Sequence, residues 1–282
     1  MKILILGSSG ILSKTLQLYL STKNIDFLTI SRKSNNNKNF SLKNILNFKN
    51  LEQLIFKIRP THIINCIGIT KFNNAYKNKK LTISLNTKMP IYLAKLCKLK
   101  KIYLLHVSSD CVFSGKKGNY TDNSHKDAKD LYGLSKKEGE VKNKFTTTIR
   151  TSFIGPELNT KKSLLNWFLN EKKFARGYSK AFFSGITSLE VCKIIYNYFI
   201  KKNILQNKII NIGSRRISKF TLLTKIRKIF KKDINIVRYQ NFIVDRSLDS
   251  KKFRKLTSYK MVKWDKMLLE LKKFMINNKY KY

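Results

Sequence analysis

At 282 residues, with 42% hydrophobic residues and 18 Phe, the chain is long enough to bury a substantial core without disulfide or metal staples. Its four cysteines, Cys66, Cys97, Cys111 and Cys192, form no C-x-x-C pair, which argues against zinc and for thiols packed as small core residues in a reducing compartment. The formal net charge of +43 comes from lysines spread singly or in doublets over the whole length, a pattern of compositional drift and not of a nucleic-acid groove, although the field attracts any anionic ligand.

No apolar run approaches the ~18 residues of a membrane span. Met1-Lys2-Ile3-Leu4-Ile5-Leu6-Gly7 reads as a strand and not as a signal peptide. The expectation is a cytoplasmic protein with no nucleic-acid partner, no membrane partner and no bound metal. Residues 2–6 form a continuous apolar run, the pattern of a strand buried on both faces. A helix follows over residues 10–20 and a second strand over 27–30. Leu51, Leu54, Ile55 and Ile58 repeat at helical spacing until Pro60 stops them. Residues 62–66 form a third strand, 81–99 a long helix, 102–107 a fourth strand, 131–142 a helix and 147–150 a fifth strand. This alternation calls for an α/β fold, a doubly wound parallel sheet of Rossmann type with right-handed crossovers.

Beyond Ser152 the rhythm loosens. Helices are expected at 163–170, 189–201, 219–230 and 265–275, with short strands at 208–212 and 234–238. The chain therefore divides into a dinucleotide-binding domain over 1–152 and a smaller C-terminal substrate-binding lobe over 153–282, interleaved with the sheet.

Gly7-Ser8-Ser9-Gly10-Ile11-Leu12-Ser13 joins the first strand to the first helix. Gly7 permits the tight turn, and Gly10 lets a phosphate approach the backbone at the helix N-terminus. Gly7, Ser9, Gly10, Ile11 and Leu12 are the residues expected against a dinucleotide. Ser13 stands at the third glycine place of such turns, which predicts slightly looser helix–strand packing. The second strand ends at Ser31-Arg32-Lys33 with no acid to hold a ribose 2′-hydroxyl. Ser31 and Arg32 are expected at the cofactor, and Arg32 and Lys33 instead suit a 2′-phosphate, which favours NADP(H) over NAD(H).

Tyr132 and Lys136 lie at i and i+4 of a helix and so share one face. A free phenol, with a pKa near ~10, is a poor acid at neutral pH. A neighbouring ammonium, helped by a nicotinamide ring, is expected to lower it. Val107-Ser108-Ser109-Asp110 ends the fourth strand, where an open α/β sheet holds its active site. Ser109 is placed to hydrogen-bond a substrate carbonyl.

Four stretches together resemble the dTDP-4-dehydrorhamnose reductase family of extended short-chain dehydrogenases. They are Ser108-Ser109-Asp110-Cys111-Val112-Phe113-Ser114-Gly115, Gly118-Asn119-Tyr120-Thr121, Leu131-Tyr132-Gly133-Leu134-Ser135-Lys136 and Ile149-Arg150-Thr151-Ser152. The likeness extends to a cofactor loop at 65–70, a following helix from Asn86, and a sugar-nucleotide lobe around Asp245-Arg246-Ser247-Leu248-Asp249. It implies hydride transfer from NADPH to the C4 ketone of a nucleotide-linked sugar, with Tyr132 donating the proton. Lys136 would hold the nicotinamide ribose, and Ser109 would stand where the family has a catalytic Thr or Ser. Asn65, Cys66 and Ile67 would join the cofactor site, and Ser108, Asp110, Phe153 and Arg246 the substrate site. A homodimer is compatible with this reading.

Two departures touch the sugar pocket. Cys111 replaces the family's usual Tyr, and Phe153 stands where a Trp is common. A 4,6-dehydratase carries an acid at the place of Cys111, so dehydration is disfavoured. Epimerisation on the same scaffold stays open, as does a non-catalytic role of the kind served by the beta subunit of methionine adenosyltransferase. In the second lobe Thr187 or Ser188 reads as a helix N-cap ahead of Glu190. Arg215 or Arg246 suits a diphosphate. His62, His106 and His125 are scattered, and His106 reads as core.

Overall fold

The computed structural model of the chain describes residues 1–31, 39–157 and 162–280. The first half runs β1 (Ile3–Leu6), α1 (Ile11–Ser21), β2 (Phe27–Ser31), β3 (Asn39–Ser41), α2 (Phe48–Ile58) and β4 (His62–Asn65). It continues with α3 (Lys79–Ile83), which passes through a π turn at Ser84–Lys88 into α4 (Met89–Lys100), then β5 (Tyr103–Val107), α5 (Leu131–Glu138) and β6 (Thr146–Arg150). The second half holds β7 (Phe153–Ile154), α6 (Leu164–Asn170), β8 (Phe174–Tyr178), β9 (Ala181–Phe183), β10 (Ile186–Thr187) and α7 (Ser188–Ile194). After these come β11 (Lys208–Asn211), β12 (Ile217–Ser218), α8 (Lys219–Phe230), β13 (Asn235–Tyr239), β14 (Val244–Arg246), α9 (Lys251–Thr257) and α10 (Trp264–Asn277).

Seven parallel strands form the central sheet in the order β11-β6-β5-β4-β1-β2-β3. All four residues of β1 are buried, as expected for a strand with helices over both faces. Leu12, Leu16 and Leu20 give α1 one buried stripe on the face shared with α7, α8 and α10. Leu51, Ile55 and Ile58 of α2 pack with α4 on the other face. Asn47 caps α2 by accepting from Asn50 N, and left-handed Arg59 ends it ahead of Pro60. Strand order reverses between β1 and β4, which opens a crevice at their carboxyl ends, the usual ligand position of such sheets.

Three sequence expectations are revised here. The short strand β3 has no hydrophobic alternation to announce it, since it is the tripeptide Asn-Phe-Ser. The expected helix over 131–142 stops at Glu138, because the chain turns at Gly139, where a Cβ would collide with the backbone oxygen of Asn86. Ser13 does not loosen the first turn: it is 1% exposed, and its hydroxyl donates back to Gly10 O at 3.0 Å. Strand β11, from the second half, completes the sheet beside β6. β9 pairs with β12 and β14 to form the wall facing the crevice from that half.

Candidate active site

The carboxyl end of β5 delivers Ser108, Ser109 and Asp110 to the crevice. Ser109 accepts from Cys111 N at 3.1 Å, capping a short 3-10 turn over Asp110–Val112. Its hydroxyl also donates to Asp110 Oδ1 at 3.1 Å. Helix α5 packs directly on that turn: a Cβ at Gly133 would collide with Cys111 O and with the Ala128 side chain. Glycine is therefore required for the close approach of α5 to that turn, which brings Tyr132 beside Ser109 and Cys111, both of which act on the ionisation of the phenol. Asp130 caps α5 by accepting from Gly133 N at 3.1 Å and pairs with Lys71 at 2.9 Å. Tyr76 OH accepts from Tyr132 N at 3.3 Å, tying the loop after β4 to the same helix end.

One turn after Tyr132, Lys136 is 4% exposed and donates from Nζ to Val107 O at 2.7 Å. Burial pushes its ammonium down to about 8, against the opposing pull of Glu140 and Cys66. The phenol behaves differently from the sequence expectation. Burial raises Tyr132 above its ordinary value; Cys111, Asp110 and Asp130 add to this, and only Ser109 opposes it. Within the chain alone, the acidifying effect expected of Lys136 does not govern the tyrosine.

Ser108 also departs from its expected substrate contact. Its hydroxyl donates to Glu140 Oε1 at 2.9 Å. Glu140 in turn receives Arg150 through two bonds at 2.7 and 2.8 Å and Lys126 at 3.0 Å. Ser108 thus belongs to the buried polar group that anchors the end of α5 to β6. Asp110 is buried, and desolvation raises its carboxyl while Lys219 and Arg246 oppose the rise. Arg246, on β14, donates from Nε to Phe113 O at 3.1 Å and from Nη2 to Ser114 O at 3.2 Å, which leaves Nη1 without a partner among the described residues. Phe153 is half-buried on β7.

On the other side of the crevice, Gly7 has φ +91° and its N–H donates to Ile30 O at 3.0 Å. A Cβ there would stand 3.1 Å from Ile67 Cγ1, so the glycine turn and the loop after β4 lie against each other. Asn65 fixes that loop, accepting from Ile67 N at 3.1 Å and meeting His106 Nδ1 at 3.2 Å. Burial pushes the Cys66 thiol up to about 12, with Lys136 opposing. A Cβ on Gly68 would stand 3.5 Å from Lys136 Nζ. Gly10 gives α1 no side-chain cap, and Ser9 and Gly10 are exposed while Ile11 is half-buried and Leu12 buried beneath them. An uncapped helix start under a positive-φ glycine, with Lys136 at the far end of the same trough, fits a dinucleotide whose phosphates meet backbone N–H groups. Ser31 ends β2 at the rim of this trough; Arg32 and Lys33 lie outside the described residues.

Two site residues escaped the sequence reading. Asn86, in the π turn before α4, is fully buried and bridges Ile69 to Ser135 of α5 through bonds of 2.9 to 3.0 Å. Lys219, the first residue of α8, lies over the Phe183 ring at 3.6 Å. Burial pushes it down to about 8, while Asp110 and Cys111 oppose that shift. Among 59 Lys and Arg, no sequence signal distinguishes it. Among the described residues no three His, Cys, Asp or Glu side chains are grouped to hold a metal ion, and no helix is long and apolar enough to cross a membrane. The N-cap of α7 is Thr187, which accepts from Glu190 N at 3.3 Å.

Comparison with known proteins places this site in context. The chain is 27% identical over 138 residues to a dTDP-4-keto-6-deoxy-D-glucose reductase from Streptomyces niveus, covering 49% of this chain and 45% of that one. It is 28% identical over 140 residues to the methionine adenosyltransferase 2 subunit beta of Danio rerio, covering 49% and 42%. The matched region thus spans less than half the length of either relative. A crystal structure of dTDP-4-dehydrorhamnose reductase from Bacillus anthracis in complex with NADP superposes with a TM-score of 0.81 at 21% identity, covering 98% of this chain and 99% of that one. A likeness at that identity speaks for the fold. The family model described as the RmlD substrate binding domain matches residues 1–173, more than half of the chain, and the chain belongs to that family.

Proposed function

We propose that the chain is a reductase that takes hydride from a nicotinamide dinucleotide and delivers it to a keto sugar carried on a nucleotide. The observation that carries this reading is the convergence of Ser109, at the carboxyl end of β5, with Tyr132 and Lys136 of α5, on the same side of the sheet as the loop after β4 and the glycine turn of β1. When bound, the dinucleotide supplies the hydride. Gly7, Gly10 and the start of α1 hold its phosphates, and the loop from Asn65 to Gly68 with Lys136 flanks the nicotinamide end. Ser109 and Tyr132 hold the substrate carbonyl between their hydroxyls. Tyr132 donates its proton to the oxygen as the negative charge develops there. Arg246, whose Nη1 has no partner among the described residues, holds an anionic part of the substrate, and Phe153 packs against the sugar.

NADPH is placed ahead of NADH because no acid ends β2 and Arg32 follows Ser31. A 4-keto-6-deoxy hexose is the substrate class we favour, supported by the name of the Streptomyces niveus relative, a dTDP-4-keto-6-deoxy-D-glucose reductase. The test is NADPH oxidation by the purified chain with a panel of 4-keto nucleotide sugars, repeated with Tyr132→Phe. Turnover that disappears in the variant supports the reading.

The match to the methionine adenosyltransferase subunit, as strong as that to the reductase, favours one second reading: a cofactor-binding regulatory subunit. Tight NADPH binding with no turnover of any sugar would select it.

A further inference from the structure

His106 stands on β5 beside Asn65 of β4, its partner in register, and both side chains are fully buried. Alternation puts it on the sheet face of Leu104, two residues earlier, which packs with Leu4, Ile63 and Leu93 of α4. A leucine on that face would bury without polar cost. The imidazole carries one: its Nε2 has no hydrogen-bond partner among the described residues, and an unpaired buried donor costs about 1–3 kcal/mol. What the imidazole offers in exchange lies at its other nitrogen.

The bonds around Asn65 fix where each proton sits. The Ile67 N–H can only donate, so the Asn65 atom that meets it at 3.1 Å is the amide oxygen. The Asn65 NH2 therefore points at His106 Nδ1, 3.2 Å away. Nδ1 must accept, and a neutral ring then carries its proton on Nε2. The ring is neutral because burial holds it well below its ordinary range, with the Lys136 ammonium adding to the shift. Beyond Asn65 the contacts run into the trough. Cys66 N donates to Leu6 O at 3.1 Å, and a Cβ on Gly7 would stand 3.1 Å from Ile67 Cγ1. A Cβ on Gly68, one residue on, would stand 3.5 Å from Lys136 Nζ.

We propose that His106 is a positioning residue for the dinucleotide: its unprotonated Nδ1 locks the Asn65 amide, and that amide holds the loop lying between the glycine turn and Lys136. The inference rests on the reading that this trough takes a dinucleotide. With the Nδ1 acceptor removed, the Asn65 NH2 is buried without a partner. The amide turns to find one, its oxygen leaves the Ile67 N–H, and the loop loses the bond that sets its height against Gly7.

Two measurements on the full chain test the lock. The first needs no ligand. Ring nitrogen shifts, with His106 assigned through His106→Asn, are expected to show the Nε2–H form near neutral pH. In Asn65→Asp the carboxylate accepts from both neighbours, so the ring is expected to carry a proton on Nδ1. An Nδ1–H ring in the wild type, or an Nδ1 still unprotonated in Asn65→Asp, overturns the proposal. The second reads NADPH binding by fluorescence beside urea denaturation. His106→Leu fills the space without an acceptor and is expected to weaken NADPH about tenfold while the urea midpoint holds or rises. His106→Asn, whose Oδ1 takes the place of Nδ1, is expected to restore affinity to within about threefold of the wild type. An affinity in His106→Leu within about twofold of the wild type, or a loss that His106→Asn does not restore, overturns the lock. If His106→Leu fails to fold, the two tautomer spectra decide the matter. A wild-type chain that binds no nicotinamide dinucleotide overturns the cofactor reading instead, and the spectra still report on the lock itself.

Discussion

The two walls of the crevice are built on different terms. The wall from β4, β5 and α5 is tied down polar group by polar group: Asn65 to Ile67, Asn86 to Ile69 and Ser135, Glu140 to Ser108, Arg150 and Lys126. The wall from β9, β14 and the start of α8 leaves donors open, with Lys219 on a ring face and Arg246 Nη1 unpartnered among the described residues. A satisfied wall fixes geometry, which proton and hydride transfer require to within a fraction of an ångström. An unsatisfied cationic wall costs stability in the free chain and recovers it when an anion binds. On the proposed reading, the difference teaches a division between rigid chemistry on one side and selective recognition on the other.

Four measurements would break or sharpen it. The largest effect belongs to the chemical wall: Tyr132→Phe lowers kcat by ~10²–10⁴, with NADPH affinity, read by fluorescence, held within about twofold. A matching loss of affinity would mean that the residue builds the trough and does not act in it. Glu140→Gln comes next. Its side chain is fully buried and faces two cations, so urea denaturation should show a loss of about 3–5 kcal/mol.

The third concerns pH. Lys136 is held in the folded chain at about 8, below its ordinary value of 10.5. Between those values the unfolded chain binds the extra proton, so the contribution of Lys136 to stability rises with pH across that window. The wild type should therefore gain about 3 kcal/mol over Lys136→Met between pH 8 and 10.5. Taking the difference between the two proteins cancels the titration of the tyrosines. A flat difference would mean that Lys136 is already hydrated in the folded state. The smallest effect belongs to the recognition wall: Arg246→Met raises KM about tenfold, near 1.4 kcal/mol, with kcat and urea midpoint little changed. A fall in kcat instead would place Arg246 with the chemistry.

Much of the first wall was legible in the residues. The apolar run of β1, the positive-φ need at Gly7, the spacing of Tyr132 and Lys136, and Ser109 at a strand end are local patterns, and local patterns survive folding. Asn86 was quoted in a motif but given no role, because its partners Ile69 and Ser135 lie 17 and 49 residues away. Ser108 looked equivalent to Ser109 in sequence, yet alternation along the chain sends one hydroxyl to Glu140 and the other to Asp110. The second wall was barely legible: Lys219 is one cation among many until β9 and α8 bring it to Asp110.

Periodicity and glycine placement in the sequence determine that this chain forms a parallel α/β sheet with a tight, positive-φ first turn and a phenol–amine pair on one helix. Those features depend on neighbours a few residues apart. Which charges face one another across the crevice, whether the tyrosine is raised or lowered, and that residues 208–211 close the sheet are decided by the tertiary structure alone. The reason is dielectric as well as geometric: burial sets the strength of every charge interaction, and burial is a property of the packed whole.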